Sequence, residues 1–462
     1  MTAGPAVGSA TPLRHAPTDP AGPASTDTPP GGTAQPSLLL RTAFALMSST
    51  VASAALGFVF WLVAARWFPP ERVGWAAAAI SSMALLAGLA QLNLTSLFAR
   101  FLPTAGTRSR RLILAGYAAS AAMAVLLTAG FLGLGLLSGV LGSQPVEVLA
   151  FVAAVVASAI FFIQDGVLAA LRRPGLVPVK NVLASAGKLA LLPLLAGTAA
   201  GYGLLLAWTV PMLVTMLAVN WWILTRLAPA QRRTASTPRP TSREVFNFAS
   251  AEYVNGTINN TLAFLPPVLV VSLLGPVPSA YFHLPWVIGV AGTTVLWNVV
   301  TSFVVQASSD DGGRMRAHID RAVLLVALVA GLAMLTLVAA ATPLLGLLGS
   351  DYAAHGADAL RLVGLSLPFT GVVLLYAAFA MMEKRMWRMV LVQAFGAVIC
   401  LGGTVLGLPR FGIAAPALAL LVGQAVTAAV LVPGLVRRYR ATAVDPASGT
   451  AGGRLEAGMT GA

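Results

Sequence analysis

TRLAPAQRRTASTPRPTSREVFNFA, residues 225–249, is the longest internal interruption in an otherwise apolar chain. It carries Pro229, Pro238 and Pro240 together with five arginines, Arg226, Arg232, Arg233, Arg239 and Arg243. On either side the sequence falls into apolar runs of about 20 residues, the length an α-helix needs to cross a hydrocarbon core. Six runs precede it, at approximately 43–65, 74–98, 112–137, 147–168, 179–197 and 203–224. Six follow, at 250–274, 281–304, 322–341, 359–381, 387–407 and 412–436. The stretch therefore divides an all-α, twelve-span membrane protein into two six-helix bundles, 41–225 and 250–440, with 226–249 as a cytoplasmic linker. No other connection is long enough to hold a folded extramembrane domain.

The basic residues set the expected orientation. All but five of the 29 Lys and Arg residues lie in the N-terminal arm, in alternate connections or in the C-terminal tail. The exceptions are Arg66, Arg72, Arg361 and Arg410, on the opposite connections, and Lys188, inside the fifth span. Positively charged loops resist translocation, so the rich side is expected in the cytoplasm, with both termini there and the chain in the cytoplasmic (inner) membrane.

Composition narrows the function classes. With 57% hydrophobic and 10% charged residues the chain does not read as a soluble globular protein. A net charge of +14 would suggest nucleic acid if it were gathered on one soluble face. Spread over loops and tails it follows from topology, so no nucleic-acid partner is expected. One cysteine, Cys400, falls mid-span and supports neither a disulfide framework nor a cysteine zinc site. Residues 1–40 and 441–462 are rich in Pro, Gly, Ala, Ser and Thr and read as a disordered cytoplasmic arm and tail. The arm lacks the basic start and short apolar core of a signal peptide.

The halves carry a trace of duplication. At an offset of 206, Leu56 meets Leu262, Phe58 meets Phe264, Leu62 meets Val268, Pro70 meets Pro276 and Trp75 meets Tyr281. Six spans per half gives both halves the same orientation, so the repeat is of the parallel kind. Trp67, Trp75, Trp208, Trp221, Trp222 and Trp387 fall near span ends and read as interfacial anchors. The pair Pro266–Pro267 reads as a bend or hinge in the seventh span.

Catalytic chemistry is not in view. There is no Gly-rich phosphate loop, metal-spaced His cluster or nucleophile elbow, and His15, His283, His318 and His355 are scattered. Asp351, His355 and Asp358 are the only candidates on an outer loop and read as solvated surface. The expectation is a transporter, not an enzyme, with no cofactor and no metal.

Polar groups inside spans mark where a solute would be handled. A central charge costs about +2.5 to +3.5 kcal/mol on translocon scales, so each needs a reason. Lys188 is the deepest, and it either snorkels to the interface or meets an anionic head group. The seventh span holds Glu252, Asn255, Thr257, Asn259 and Asn260. Glu252, Asn255 and Asn259 stand at i, i+3 and i+7 and form one stripe, which must face the other half or a cavity. The second span adds Gln91, Asn93, Thr95 and, at its cytoplasmic end, Arg100. Asp165 in the fourth span is expected to pair with Arg172 or Arg173.

Three segments carry a family likeness: Gly57 to Phe68 with the turn Pro69-Pro70-Glu71-Arg72-Val73-Gly74; Leu92-Asn93-Leu94-Thr95-Ser96-Leu97-Phe98-Ala99-Arg100-Phe101-Leu102-Pro103; and Asp165-Gly166-Val167-Leu168-Ala169-Ala170-Leu171-Arg172-Arg173. They resemble the polysaccharide-exporter branch of the multidrug/oligosaccharidyl-lipid/polysaccharide (MOP) flippase superfamily. The resemblance implies two six-helix bundles around a central cavity and translocation of a polyprenyl-(di)phosphate-linked sugar or oligosaccharide for cell-surface polysaccharide synthesis. In that reading Lys188 and Arg100 receive phosphates, the stripe Glu252, Asn255 and Asn259 hydrogen-bonds sugar hydroxyls, and Asn93 is a further substrate-binding residue. The expected partners are the lipid-linked glycan, membrane lipids and the glycosyltransferases and polymerase of the pathway, with a monomer as the working unit. The alternative is a cation-coupled small-molecule (multidrug) antiporter using Glu252. Drug-expelling relatives carry carboxylates in the first and tenth spans, which this chain lacks.

Overall fold

The computed structural model describes residues 52–53, 55–135, 144–196, 202–229, 242–308, 315–382 and 386–444. The helices of the first half are α1 (Ala55–Trp67), α2 (Pro70–Ala90), α3 (Leu94–Ala105), α4 (Ser109–Gly133), α5 (Pro145–Ala170), α6 (Leu176–Ala196) and α7 (Gly203–Trp222). Those of the second half are α8 (Ser242–Leu274), α9 (Pro276–Ser308), α10 (Met315–Ala339), α11 (Ala341–Gly346), α12 (Ser350–Met382), α13 (Met386–Phe411) and α14 (Ala415–Val444). Among the described residues, nine helical stretches are long and apolar enough to cross a membrane, and one of them, Trp387–Arg437, contains both α13 and α14. The shorter apolar helix α1 and α6, made more polar by Lys180 and Lys188, bring the described helices to the expected six-plus-six arrangement. The fold class is the expected one, an all-α polytopic membrane protein.

The faces of the helices follow the solvent they meet. Leu324, Leu328, Leu332 and Leu335 on α10 are all exposed and form one apolar stripe, the side a helix turns to lipid. α2 and α12, by contrast, are largely buried. α2 packs against α5 of its own half and against α8 and α9 of the other, so it forms the seam between the bundles. Small residues make that seam close. A Cβ on Gly74 would collide with the carbonyl of Pro276, and one on Gly88 with the side chain of Asn260. Close backbone approach through small residues is how membrane helices gain packing energy where no hydrophobic effect separates helix from lipid.

At the seam's opposite end from the arginine-rich loops, Arg66 Nε donates to the Leu347 carbonyl at 2.8 Å, and the rings of Trp61 and His283 lie 4.4 Å apart. The duplication is visible as well. Pro70 opens α2 and Pro276 opens α9, each where its missing N–H costs nothing.

Several local expectations change. The second span is not one helix: Leu92 and Asn93 adopt left-handed backbone (φ 51° and 53°), which ends α2 and starts α3. Its counterpart α9 runs unbroken over Pro276–Ser308, so the break belongs to the first half alone. The seventh span begins at Ser242, eight residues before the expected start at 250, because Ser242–Ala249 already continue the helix. α14 likewise runs to Val444, past the expected boundary at 440. The arm at 1–40, residues 230–241 of the linker and 445–462 of the tail lie outside the described residues.

α8 continues through Pro266 and Pro267 without a break. Pro267 has no N–H for the carbonyl of Ala263, one turn earlier. The indole Nε1 of Trp286 donates to that carbonyl at 2.7 Å. A neighbouring helix thus satisfies what the proline freed, the condition under which proline is tolerated inside a span.

Candidate functional site

A cavity of about 690 Å³ lies among the helices of the second bundle. α8 contributes Glu252, Asn255, Gly256 and Asn259; α9 contributes Trp286, Thr293, Thr294 and Trp297; Thr370, Met389, Gln393 and Gln424 come from α12, α13 and α14. The i, i+3, i+7 stripe on α8 therefore faces this cavity as one surface. Its size is that of a site for a drug-sized molecule. Two of its amide oxygens, Asn255 Oδ1 and Gln424 Oε1, are buried and have no hydrogen-bond partner among the described residues. Glu252, Asn255 and Gln424 line the cavity together with Trp286 and Trp297. Among the described residues, no Lys or Arg lines it.

Glu252 also reaches the first bundle. Asn93 Nδ2 donates to its Oε2 at 3.3 Å and Ser96 Oγ to its Oε1 at 3.0 Å. Beside it the Tyr253 hydroxyl donates to the Leu89 carbonyl at 3.2 Å, and Asn260 Nδ2 to the Leu85 carbonyl at 2.9 Å. α8 thus presents two faces, Glu252–Asn255–Asn259 to the cavity and Tyr253–Asn260 to the last turns of α2. The Leu89 carbonyl falls in the last turn of α2, where carbonyls lose their helical partners. Tyr253 satisfies it.

Lys188 stands apart from this cavity. Its ammonium lies over the Trp208 ring, 3.4 Å from the centroid. Trp208 in turn packs on Phe60 at 5.3 Å and on Trp61 at 6.1 Å. Lys188 is half-buried and, among the described residues, has no carboxylate partner. It does not snorkel toward the arginine-rich end; the aromatic face holds it in the first bundle. Trp208, expected as an interfacial anchor, is part of this cluster instead, whereas Trp67, Trp221 and Trp387 are exposed at span ends as anchors should be.

The partner of Asp165 is Lys180, at 2.6 Å, in place of the expected Arg172 or Arg173. The tight turn between α5 and α6 folds the first turns of α6 back onto α5, which brings Lys180 alongside Asp165 and leaves both arginines exposed on the turn. Lys180 Nζ also donates to the Phe161 carbonyl at 2.6 Å. Arg100 belongs to α3, but its side chain lies outside the described residues.

Sequence reading found the stripe on α8 and missed most of what surrounds it. Ser96, Trp286, Trp297, Thr293, Gln393 and Gln424 complete the site. The amides of Gln393 and Gln424, each inside an apolar span, were the available signal.

No protein-family model and no curated protein matches this chain. Solved structures do. An inward-facing multidrug-resistance MATE transporter of the MOP superfamily superposes with a TM-score of 0.67 at 15% identity, over 88% of this chain and 100% of that one. An outward-facing MATE transporter of that superfamily gives 0.59 at 15%, over 87% and 96%. A MOP superfamily transporter from Pyrococcus furiosus, described as having reversed polarity in its binding pocket, gives 0.57 at 14%, over 87% and 96%. The chain therefore shares the fold of these MATE transporters.

Proposed function

We propose that this chain is a MOP-type membrane transporter that takes a small amphipathic cation into the cavity of its second bundle and exports it. The observation that carries this reading is the cavity wall itself. Glu252, Asn255 and Gln424 bring a carboxylate and two amides to the wall, and Trp286 and Trp297 line the same cavity. Aromatic faces attract cations by about 0.5–2 kcal/mol each, more where water is excluded. A half-buried carboxylate inside a span supplies the countercharge that a cationic solute or a coupling ion requires. The fold supports the same reading, since the MATE structures it overlays are transporters.

A second reading keeps the polyprenyl-(di)phosphate-linked glycan as substrate. It is favoured by Lys188, a cation without a carboxylate partner among the described residues. The membrane field favours outward movement of an anion by about 2.3 kcal/mol per charge per 100 mV. The loop charges support a cytoplasmic-membrane location with the arginine-rich end inside.

The two readings separate in proteoliposomes. Ethidium loaded inside and driven by an imposed proton or sodium gradient should leave vesicles holding the wild-type protein. In Glu252→Gln that flux should fall at least about tenfold, because an amide cannot carry the countercharge. No ethidium flux, with flipping of a fluorescent polyprenyl-diphosphoryl sugar that is lost in Lys188→Met, would replace the first reading by the second.

A further inference from the structure

The break in the second span is costly. Leu92 carries a Cβ in left-handed backbone, a conformation disfavoured by about 1–2 kcal/mol. Interruption of a span is tolerated only where protein or a water-lined cavity covers the freed backbone. The corresponding α9 manages without one. What the break achieves is a new helix start inside the seam. Asn93 occupies the cap position of α3, and Ser96 lies in its first turn. The carboxylate of Glu252, from the other bundle, accepts from both of these side chains. An anion is favoured at a helix N-terminus by the orphan N–H groups and the dipole. The same carboxylate lines the cavity.

We propose that Asn93 and Ser96 are positioning residues that hold Glu252 as a latch between the two bundles, and that a solute's donor groups release the latch by replacing them at the carboxylate. The proposal rests on the reading of Glu252 as the cavity's countercharge. It gives the cavity a direct means of changing the bundle arrangement. The Asn93 and Ser96 donors occupy both oxygens of Glu252. A solute that donates to Glu252 competes for those oxygens and loosens the seam, while one that only fills the apolar part of the cavity leaves it closed. The neighbouring bonds from Tyr253 and Asn260 go to backbone carbonyls of α2 and do not involve the cavity face.

The test is an inter-bundle distance measured by double electron–electron resonance on the full chain in nanodiscs. Spin labels go on Thr107→Cys and Ala317→Cys, both exposed positions, in a Cys400→Ala background. Asn93→Asp keeps the size and the tolerance for left-handed backbone but replaces the donor with a like charge. It should raise the longer-distance population about tenfold, the factor that corresponds to loss of one charge-assisted hydrogen bond. Combining it with Glu252→Gln restores a donor–acceptor pair with the roles exchanged. The doubly substituted protein should return to the parent distribution, a rescue that a merely structural role for Asn93 would not give. If Asn93→Asp does not fold, Ser96→Ala, which places no demand on the backbone, should produce a shift of about threefold. Unchanged distances in these variants, or no rescue in the pair, overturn the latch. Ethidium at saturation should shift the parent in the same direction; ethidium export without that shift overturns the release step. A latch response without ethidium export would instead overturn the proposed function and leave the latch standing.

Discussion

The ammonium of Lys188 rests 3.4 Å from the centre of the Trp208 ring, and this contact lies in a different bundle from the cavity that holds Glu252. Two intramembrane charges that the sequence would assign to a single binding site thus belong to separate places. An ammonium is expensive in a span, and the ring face offsets part of that expense by roughly 2 kcal/mol where water is excluded.

Lys188→Met removes the charge and keeps most of the apolar stem. Folding should be retained, with a thermal midpoint within about 3 °C of wild type, because loss of the ring contact and relief of desolvation oppose one another. Ethidium export should stay within about twofold, since the cavity lies elsewhere. Detergent-solubilised melting curves and the vesicle flux assay check both.

Trp286→Phe keeps the aromatic volume and deletes the donor that caps the Ala263 carbonyl. The buried carbonyl is then unpaired, which should cost about 1–3 kcal/mol. Amide exchange on α8 just beyond Pro267 should accelerate if Trp286 is what stiffens the proline-bearing segment. Unchanged exchange there would mean that packing alone holds it.

Gly74→Ala and Gly88→Ala both narrow the seam, but against different neighbours. Gly74 faces the Pro276 backbone, which cannot move aside, whereas Gly88 faces the side chain of Asn260. Gly74→Ala should destabilise by about 1–3 kcal/mol or more, and Gly88→Ala by less. Gly57→Ala, with open space around it, should fall within about 0.5 kcal/mol of wild type. Melting curves of the three variants give the ranking directly.

Lys180 is buried and Asp165 is about a third exposed, so their ion pair is open to water on one side only. Removing the acid alone, as in Asp165→Leu, leaves a buried ammonium with the Phe161 carbonyl and ring, and should cost about 2–4 kcal/mol. Lys180→Met in addition should recover most of that loss. A double variant as unstable as the single one would show that the pair contributes more than charge compensation.

The positive-inside pattern makes a labelling prediction. A membrane-impermeant maleimide applied to whole cells should react with Leu347→Cys, at the end opposite the arginine-rich loops, and not with Thr107→Cys. Permeabilised cells should label both. Reversal of this pattern would invert the orientation.

The sequence by itself determined the architecture. The spacing of apolar runs, the six-plus-six division of the helices and the paired prolines Pro70 and Pro276 follow from bilayer thickness and from helix geometry, which act on local stretches of chain. The stripe Glu252–Asn255–Asn259 was legible for the same reason, since helical periodicity alone aligns it. Only the tertiary structure decided what each polar group meets. Lys180 became the partner of Asp165 through the fold of a turn, and Trp208 the support of Lys188 through the packing of α6 on α7. Nothing in the run Gln91-Leu92-Asn93 announces a break, since Leu92 in left-handed backbone is a conformation its own side chain resists. It persists because α8 covers the break and meets it with Glu252 and Tyr253, residues more than 150 positions away in sequence.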